Sequence, residues 1–433
     1  MRILFACVSA DGHFNPLSGI AVHLKSAGHD VRWYTGASMS PRLARMAIPS
    51  YPFRRSTEIT GENLPALFPE RAGLRGPALI RFDGEKIFFS NITAYVEDIL
   101  EIDREFPFDL LFCDAAFYGA RLVRECLGKR VAVLEPGWES MSDDPNVPPP
   151  FLGLRPADGP VRRWAYRGLK RAMDVMVNRQ LRAAYNVALA ANGLPAITWS
   201  VFDEAVRVSD VCFLNGVPGL AYCRAHSDPK QHFLGVCRPY RDPSRPPPAL
   251  PAGVGSDGRR TVLVSQGTVD NHDPDKLIVP TLKALGGSGF RVLVATGSAR
   301  LTRELRPLYD GPDVLIEDWI DFDAVLPQVD VFVCNGGSGS LLAGFSHGVP
   351  VVAAGTREGK NDNNAHLAYH GLGIDLRTER PTPRAVRNAV ARVIVDPSFR
   401  RNAAHIQREI AGYDAHAIVD DALAALVPAG STR

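Results

Sequence analysis

The segment VFVCNGGSGSLLAGFSHGVP, residues 331–350, constrains the fold more than any other part of the chain. Residues 330–334 are a short apolar run of the kind that forms a parallel strand buried on both faces. Asn335, Gly336, Gly337, Ser338, Gly339 and Ser340 follow, and the three glycines allow positive φ and close approach of a ligand to bare backbone. Leu341 to His347 then carries an apolar helical pattern that Gly348 and Pro350 stop. Strand, tight turn and helix in that order belong to an α/β sheet. The unpaired N–H groups and positive dipole end of such a helix suit a phosphate or diphosphate. A plain strand-to-helix turn without a ligand has the same pattern, so the rest of the chain has to separate the two readings.

The same rhythm recurs in two blocks. Residues 2–8 read as a strand, 17–25 as a helix stopped at Gly28, and 29–34 as a second strand. This βαβ opening predicts a parallel sheet whose carboxyl edge holds a ligand. Further on, 85–101 and 119–127 read as helices, and 109–113, 130–134 and 210–214 as strands. Pro- and Gly-rich sequence from 137 to 165 reads as long loops, and a basic helical stretch spans 161–192. Residues 237–258 contain six prolines and almost no periodic apolar signal, which predicts a semi-rigid linker. After it, strands restart at 261–264, 291–295, 314–316, 330–334 and 349–353. A chain of 433 residues exceeds what one hydrophobic core serves. The expectation is therefore two α/β domains, 1–236 and 259–411, joined by the linker 237–258.

Charge and cysteine usage exclude several classes. A net charge of +2 gives no general pull toward nucleic acid or an anionic membrane. Arginine runs such as Arg162-Arg163 and Arg303–Arg306 are interleaved with acids and apolar residues, and read as solvated helix faces. Seven cysteines without a CxxC spacing fit no closed disulfide framework, which points to a reducing cytoplasm. The amino terminus is too short an apolar run for a signal peptide, and no run approaches the length of a membrane span. Asp321 and Asp323 have the spacing of a magnesium-binding pair, yet they stand where a helix should start and read as caps. No cluster has zinc spacing, so no metal and no cofactor is expected. A nicotinamide enzyme is disfavoured because the Gly-x-Gly-x-x-Gly turn is missing after the first strand.

Two sets of residues could carry chemistry. His13 follows Gly12 at the carboxyl edge of the first strand, with Asn15-Pro16 opening the next helix. A histidine there can accept a proton from a hydroxyl near neutral pH, and Asp114 at the same edge is the carboxylate best placed to orient it. A structural role for His13 beside a helix cap remains open at this point. Ser265, Gly267 and Thr268 close the first strand of the second block as residues 335–340 close a later one, giving two phosphate-suited turns on one edge. Trp319, after the 314–316 strand, either stacks on a nucleobase or belongs to the core.

Together, G-H-F-N-P around His13, C-D-A-A-F around Asp114, S-Q-G-T at 265–268, D-W-I-D-F at 318–322 and N-G-G-S-G-S…H-G-V-P-V-V at 335–352 resemble the inverting nucleotide-sugar glycosyltransferases of the UDP-glucuronosyl/macrolide type. The resemblance covers nearly the whole chain. It implies the GT-B architecture, two Rossmann-like domains facing a central cleft, with a final helix within 412–433 returning to the N-terminal domain. It further implies His13 as base, Asp114 as its orienting acid, and a small acceptor held by Phe14, Phe117, Trp138 and the loops at about 55–85 and 137–200. The donor site would comprise Ser265, Gly267, Thr268, Trp319, Ile320, Asn335 and residues 336–340. Asn335 stands where the family usually has histidine, and Ala343 where many members carry an acid that grips the ribose. The latter favours a deoxyribose donor such as a dTDP-sugar over a UDP-sugar. The Asp-Gln pair that reads the sugar falls on Lys360 and Asn361, with Glu358 nearby. The implied partners are the sugar nucleotide and a small, apolar or phenolic acceptor, for a monomer or homodimer without nucleic acid or membrane insertion. Two other readings share these residues: a sugar-nucleotide-binding protein without turnover, and a GT-B sugar-nucleotide epimerase.

Overall fold

The computed structural model describes residues 1–139, 144–225, 228–244, 254, 258–267 and 271–426. Its frame is two sheets. The first holds β1 (Arg2–Ala6), β2 (Asp30–Thr35), β3 (Ser50–Pro52), β4 (Leu110–Asp114), β5 (Arg130–Glu135), β6 (Val211–Leu214) and β7 (Gln231–Phe233) in the order β3-β2-β1-β4-β5-β6-β7. The second holds β8 (Thr261–Ser265), β9 (Arg291–Ala295), β10 (Val314–Glu317), β11 (Val331–Cys334), β12 (Val351–Ala353) and β13 (Gly373–Asp375) in the order β10-β9-β8-β11-β12-β13. Every pairing between these strands is parallel.

Both sheets are doubly wound. Each grows outward from its first strand and then resumes on that strand's other side, so the order reverses between β1 and β4 and between β8 and β11. In such sheets the crevice outside the carboxyl ends at the reversal is the natural ligand site. Strands β4, β6, β8 and β11 are buried along their whole length, in keeping with their apolar central residues. Alternate residues feed opposite faces: Ile3, Phe5 and Phe112 join one core of the first sheet, and Leu4, Ala6 and Leu111 the other.

The helix Ala415–Leu426 packs Val419 and Leu423 into the first of these cores, although it follows the second sheet in the chain. There His23 contacts Asp420 at 2.9 Å and stacks on His416 at 4.1 Å. A further apolar cluster joins the two halves, with Trp138, Val217 and Leu220 packed among Leu341, Phe345, Ile406 and Ile410. No helix among the described residues is long and apolar enough to cross a membrane.

Several elements differ from the sequence expectation. The first helix begins at Asp11, six residues early, and carries Pro16 inside it. Proline removes only the N–H that would bond the Gly12 carbonyl, so the helix survives near its open end. The 85–101 segment is a wide π-turn at Asp83–Phe89 followed by the helix Ile92–Glu105, and 161–192 is likewise divided by a π-segment at Asp174–Asn178. β3, β7 and β13 have three residues each, too few to display a period of two.

Candidate functional site

The strand reversal in the first sheet brings His13 and Asp114 together. His13 lies in the first turn of the helix that leaves β1, and Asp114 ends β4, the strand paired beside β1. His13 Nδ1 is 2.6 Å from Asp114 Oδ2, and that oxygen also accepts the Ala116 N–H at 2.8 Å. Asp114 is buried, whereas the His13 side chain is 26% exposed and its Nε2 has no protein partner among the described residues. Hydrogen bonding to a carboxylate through Nδ1 fixes the tautomer that leaves a lone pair on Nε2. Burial works to lower the His13 pKa, but the charges of Asp114 and Glu135 and the Asp114 hydrogen bond outweigh it and the net shift is upward.

Glu135 was not singled out from the sequence. It ends β5, next to β4, is 7% exposed, and has no hydrogen-bond partner for its carboxyl among the described residues. Burial, reinforced by the charge of Asp114, raises its pKa to about 7. Two adjacent strands that both end in an acid, F-C-D and V-L-E, were the available signal.

At the corresponding reversal of the second sheet the two glycine turns meet. Gly267 follows β8 with φ 81°, and Gly336 follows β11 with φ 86°. A Cβ on Gly336 would stand 2.0 Å from Asn364 Oδ1, so the position is closed to side chains. Gly337 caps the helix Ser338–Ser346, whose first turn contains Gly339 and Ser340; around Gly339 there is open space. Thr268 lies outside the described residues. Ser265 is buried and its hydroxyl accepts the Gly267 N–H at 3.3 Å, which shapes the turn.

Asn335 is engaged by the protein itself. It is 6% exposed, its amide nitrogen donates to the Gln266 carbonyl and its oxygen accepts the Gly337 N–H at 3.2 Å, so it braces one turn against the other. Asn361 is likewise committed: its amide donates to the Phe151 carbonyl at 2.6 Å. The neighbouring Asp362 accepts the N–H groups of Phe151 and Gly153, the latter at 2.7 Å, and burial raises its pKa to about 6. This helix terminus therefore docks the loop from the first half. Lys360 is buried and pairs with Glu358 at 2.8 Å, and Glu358 holds a left-handed φ of 57°, a strained setting for a residue with a Cβ.

A cleft of about 880 Å³ lies between the halves. Glu135 and Trp138 line it from the first sheet's edge, Pro148–Pro150, Met173 and Trp199 from the loops and helices after β5, and Ser338, Glu358 and Asp362 from the second half. The three proposed acceptor aromatics prove to be buried. Phe14 stacks on Trp33 at 4.7 Å under the Arg42 guanidinium, because the early helix start turns it inward. Phe117 packs with Tyr95 at 4.9 Å, and Trp138 meets Phe345 and His366 edge-on in the cluster between the halves. Trp138 is 2% exposed and only its margin reaches the cleft. Trp319 is 65% exposed after β10, whereas Ile320 is a core residue. Asp321 caps the helix Phe322–Val325 and pairs with Arg241; Asp323 pairs with Arg241 at 3.2 Å, so both have structural partners.

Two doubly wound domains with facing strand reversals and a shared cleft define the GT-B fold. The chain superimposes on the glycotransferase of kitacinnamycin with a TM-score of 0.75 at 19% identity over 99% of both chains. It superimposes on spinosyn rhamnosyltransferase SpnG, solved with thymidine diphosphate, with a TM-score of 0.67 at 18% identity over 97% of this chain and 99% of that one. Residues 292–426 match the family described as erythromycin biosynthesis protein CIII-like, C-terminal domain. The chain is 34% identical over 428 residues to 4'-demethylrebeccamycin synthase of Lentzea aerocolonigenes, covering 98% of this chain and 99% of that protein. The chain belongs to this family of macrolide and natural-product glycosyltransferases and is an enzyme of that class.

Proposed function

We propose that this enzyme moves a sugar from a nucleoside diphosphate donor to a hydroxyl of a small, apolar or phenolic natural-product acceptor, with inversion at the anomeric carbon and without a metal. The observation that carries the proposal is the 2.6 Å His13–Asp114 pair, with Nε2 unpartnered, at the strand reversal of one sheet, one strand from Glu135, which lines the cleft shared with the other. His13 Nε2 takes the acceptor proton as the oxygen attacks the anomeric carbon, and Asp114 stabilises the resulting imidazolium. The bond to the diphosphate breaks with its electron pair on the leaving oxygen. The N–H groups of residues 338–340, the Ser340 hydroxyl and the positive end of the helix Ser338–Ser346 offset that charge. Inversion follows from a single displacement.

The N-terminal domain holds the acceptor and the C-terminal domain the donor, with the division at 237–258. Exposed Trp319 stacks on the base. Ala343, placed where an acid would grip a ribose, favours the deoxyribose of thymidine diphosphate, in line with the nucleotide bound in the SpnG structure. The sugar is read at the Glu358–Lys360 pair and not by Asn361, whose amide is engaged. The test is a thermal-shift comparison of UDP and TDP followed by turnover with His13→Ala. Nucleotide stabilisation kept and turnover lost by orders of magnitude is the expected result; full turnover by the variant would remove His13 as the base.

A further inference from the structure

The helix Pro160–Met173, which follows the proline loop of the cleft, has a surface that the transfer reaction does not use. It carries five cations, Arg162, Arg163, Arg167, Lys170 and Arg171, and no acid. Tyr166 and Met173 turn inward, while Val161 is 80% and Trp164 73% exposed. At 100° per residue, Val161, Trp164, Ala165, Gly168, Leu169 and Ala172 share one face about 140° wide. Arg162 borders one side of it and Arg167 and Arg171 the other. The succeeding turn extends the apolar face with exposed Val175 and Met176. Arg167, Arg171 and Arg179 have no ion-pair or hydrogen-bond partner among the described residues. The same segment opens onto the cleft through Arg171, Met173, Asp174 and Val175.

We propose that this face docks the enzyme reversibly on an anionic lipid surface, with Val161 and Trp164 at the headgroup boundary, the flanking arginines on acidic headgroups, and the mouth of the cleft turned toward the bilayer. Arg162 pairs with Asp158 at 2.9 Å, so the unpaired cations lie along the Arg167–Arg171 border, and an exposed apolar stripe beside such cations is the chemistry of a helix that lies in an interface. Tryptophan suits that position because its ring is apolar and its N–H polar. A second copy of the chain fits less well, since two-fold pairing would set the arginine border against itself. The net charge of +2 is no obstacle, because the attraction is local and acts within a Debye length. The benefit to catalysis rests on the proposed function, in which an apolar acceptor concentrates in lipid; the docking itself does not depend on it.

The test is co-sedimentation of the full chain with vesicles of phosphatidylcholine alone or mixed with phosphatidylglycerol. Binding to the mixed vesicles at low salt, release by high salt and a blue shift of tryptophan emission are expected. Trp164→Asp, or Arg167→Glu with Arg171→Glu, should each weaken binding more than about tenfold while the thermal melt stays that of the parent. A parent chain that stays in the supernatant with the mixed vesicles overturns the proposal, as do variants that pellet like the parent. If light scattering shows a dimer that Trp164→Asp dissociates, and no vesicle binding, the face is an interface between copies and the proposal falls. None of these readouts requires turnover, so failure here and failure of the transferase reading are separable.

Discussion

Replacing Asp114 by Asn isolates the charge at the centre of the proposed mechanism. Asp114 is buried, and one oxygen serves both His13 Nδ1 at 2.6 Å and the Ala116 N–H at 2.8 Å, while Oδ1 has no partner. Asparagine fills the same volume without the charge. A hydrogen bond to a charged group is worth about 1.5–3 kcal/mol. At 1.36 kcal/mol per decade that is roughly ten- to a hundred-and-fifty-fold in rate. If the amide NH2 turns toward Nδ1, the ring takes its proton on Nε2 and loses the lone pair that receives the acceptor proton. The equivalent defect in a serine protease costs about 10⁴. The expected fall in kcat is therefore about 10- to 10⁴-fold, read as nucleoside diphosphate release at saturating donor. TDP affinity by calorimetry should stay within about twofold, because Asp114 belongs to the other sheet. The acid limb of the rate should also move to lower pH, since burial of His13 is then opposed by less negative charge. A variant within about threefold of the parent kcat, with its acid limb unmoved, would refute the orienting role.

Other outcomes follow from the same geometry. Because the base must be neutral and the His13 pKa is raised above 6.5, kcat/KM should fall on the acid side with a midpoint above that value; Glu135→Gln should lower the midpoint, as a pH–rate profile will show. Gly336→Ala adds a Cβ at 2.0 Å from Asn364 Oδ1 and forces alanine to φ 86°. Left-handed backbone and overpacking together cost about 2–5 kcal/mol, visible as a lower melting temperature and weaker TDP binding. Asp362→Ala strips the acceptor from the Phe151 and Gly153 N–H groups, each worth about 1–3 kcal/mol when left unpaired. Hydrogen exchange at those two amides should accelerate while exchange in β4 and β11 stays slow.

The alternation of apolar runs with Gly-terminated helical patterns carried the two-sheet frame in the sequence, because a strand buried on both faces must be apolar throughout and its turn must be short. The His13–Asp114 pair was legible for a related reason: His13 opens the helix that follows β1 and Asp114 ends β4, and the winding rule makes those strands neighbours at the reversal. Side-chain direction was not legible. The resemblance put Phe14 at the acceptor, but in the helix that starts at Asp11 its ring lies buried on Trp33. Asn335 read as a phosphate contact because it stands beside a turn, and Asn361 because the resemblance aligned it with the pair that reads the sugar; neither reading could show the carbonyl, of Gln266 or Phe151, that takes up the amide. Both of those partners are more than fifty residues away along the chain.

Glu135 shows how such distant contacts bear on the chemistry. Its carboxyl raises the pKa of His13 across the strand edge, and His13 and Arg224 in turn oppose the rise of its own. His13 and Glu135 therefore influence each other's protonation. Two such groups hold one proton more readily than a lone histidine, so in the proposed mechanism they are poised to keep the proton that the acceptor surrenders. An acceptor that fills the cleft excludes water from Glu135 and shifts the balance further toward its neutral form. Acceptor binding should consequently take up protons near neutral pH, and calorimetry in buffers of different ionisation enthalpy would measure it: an uptake that Glu135→Gln abolishes supports the coupling, and an uptake unchanged in that variant removes it.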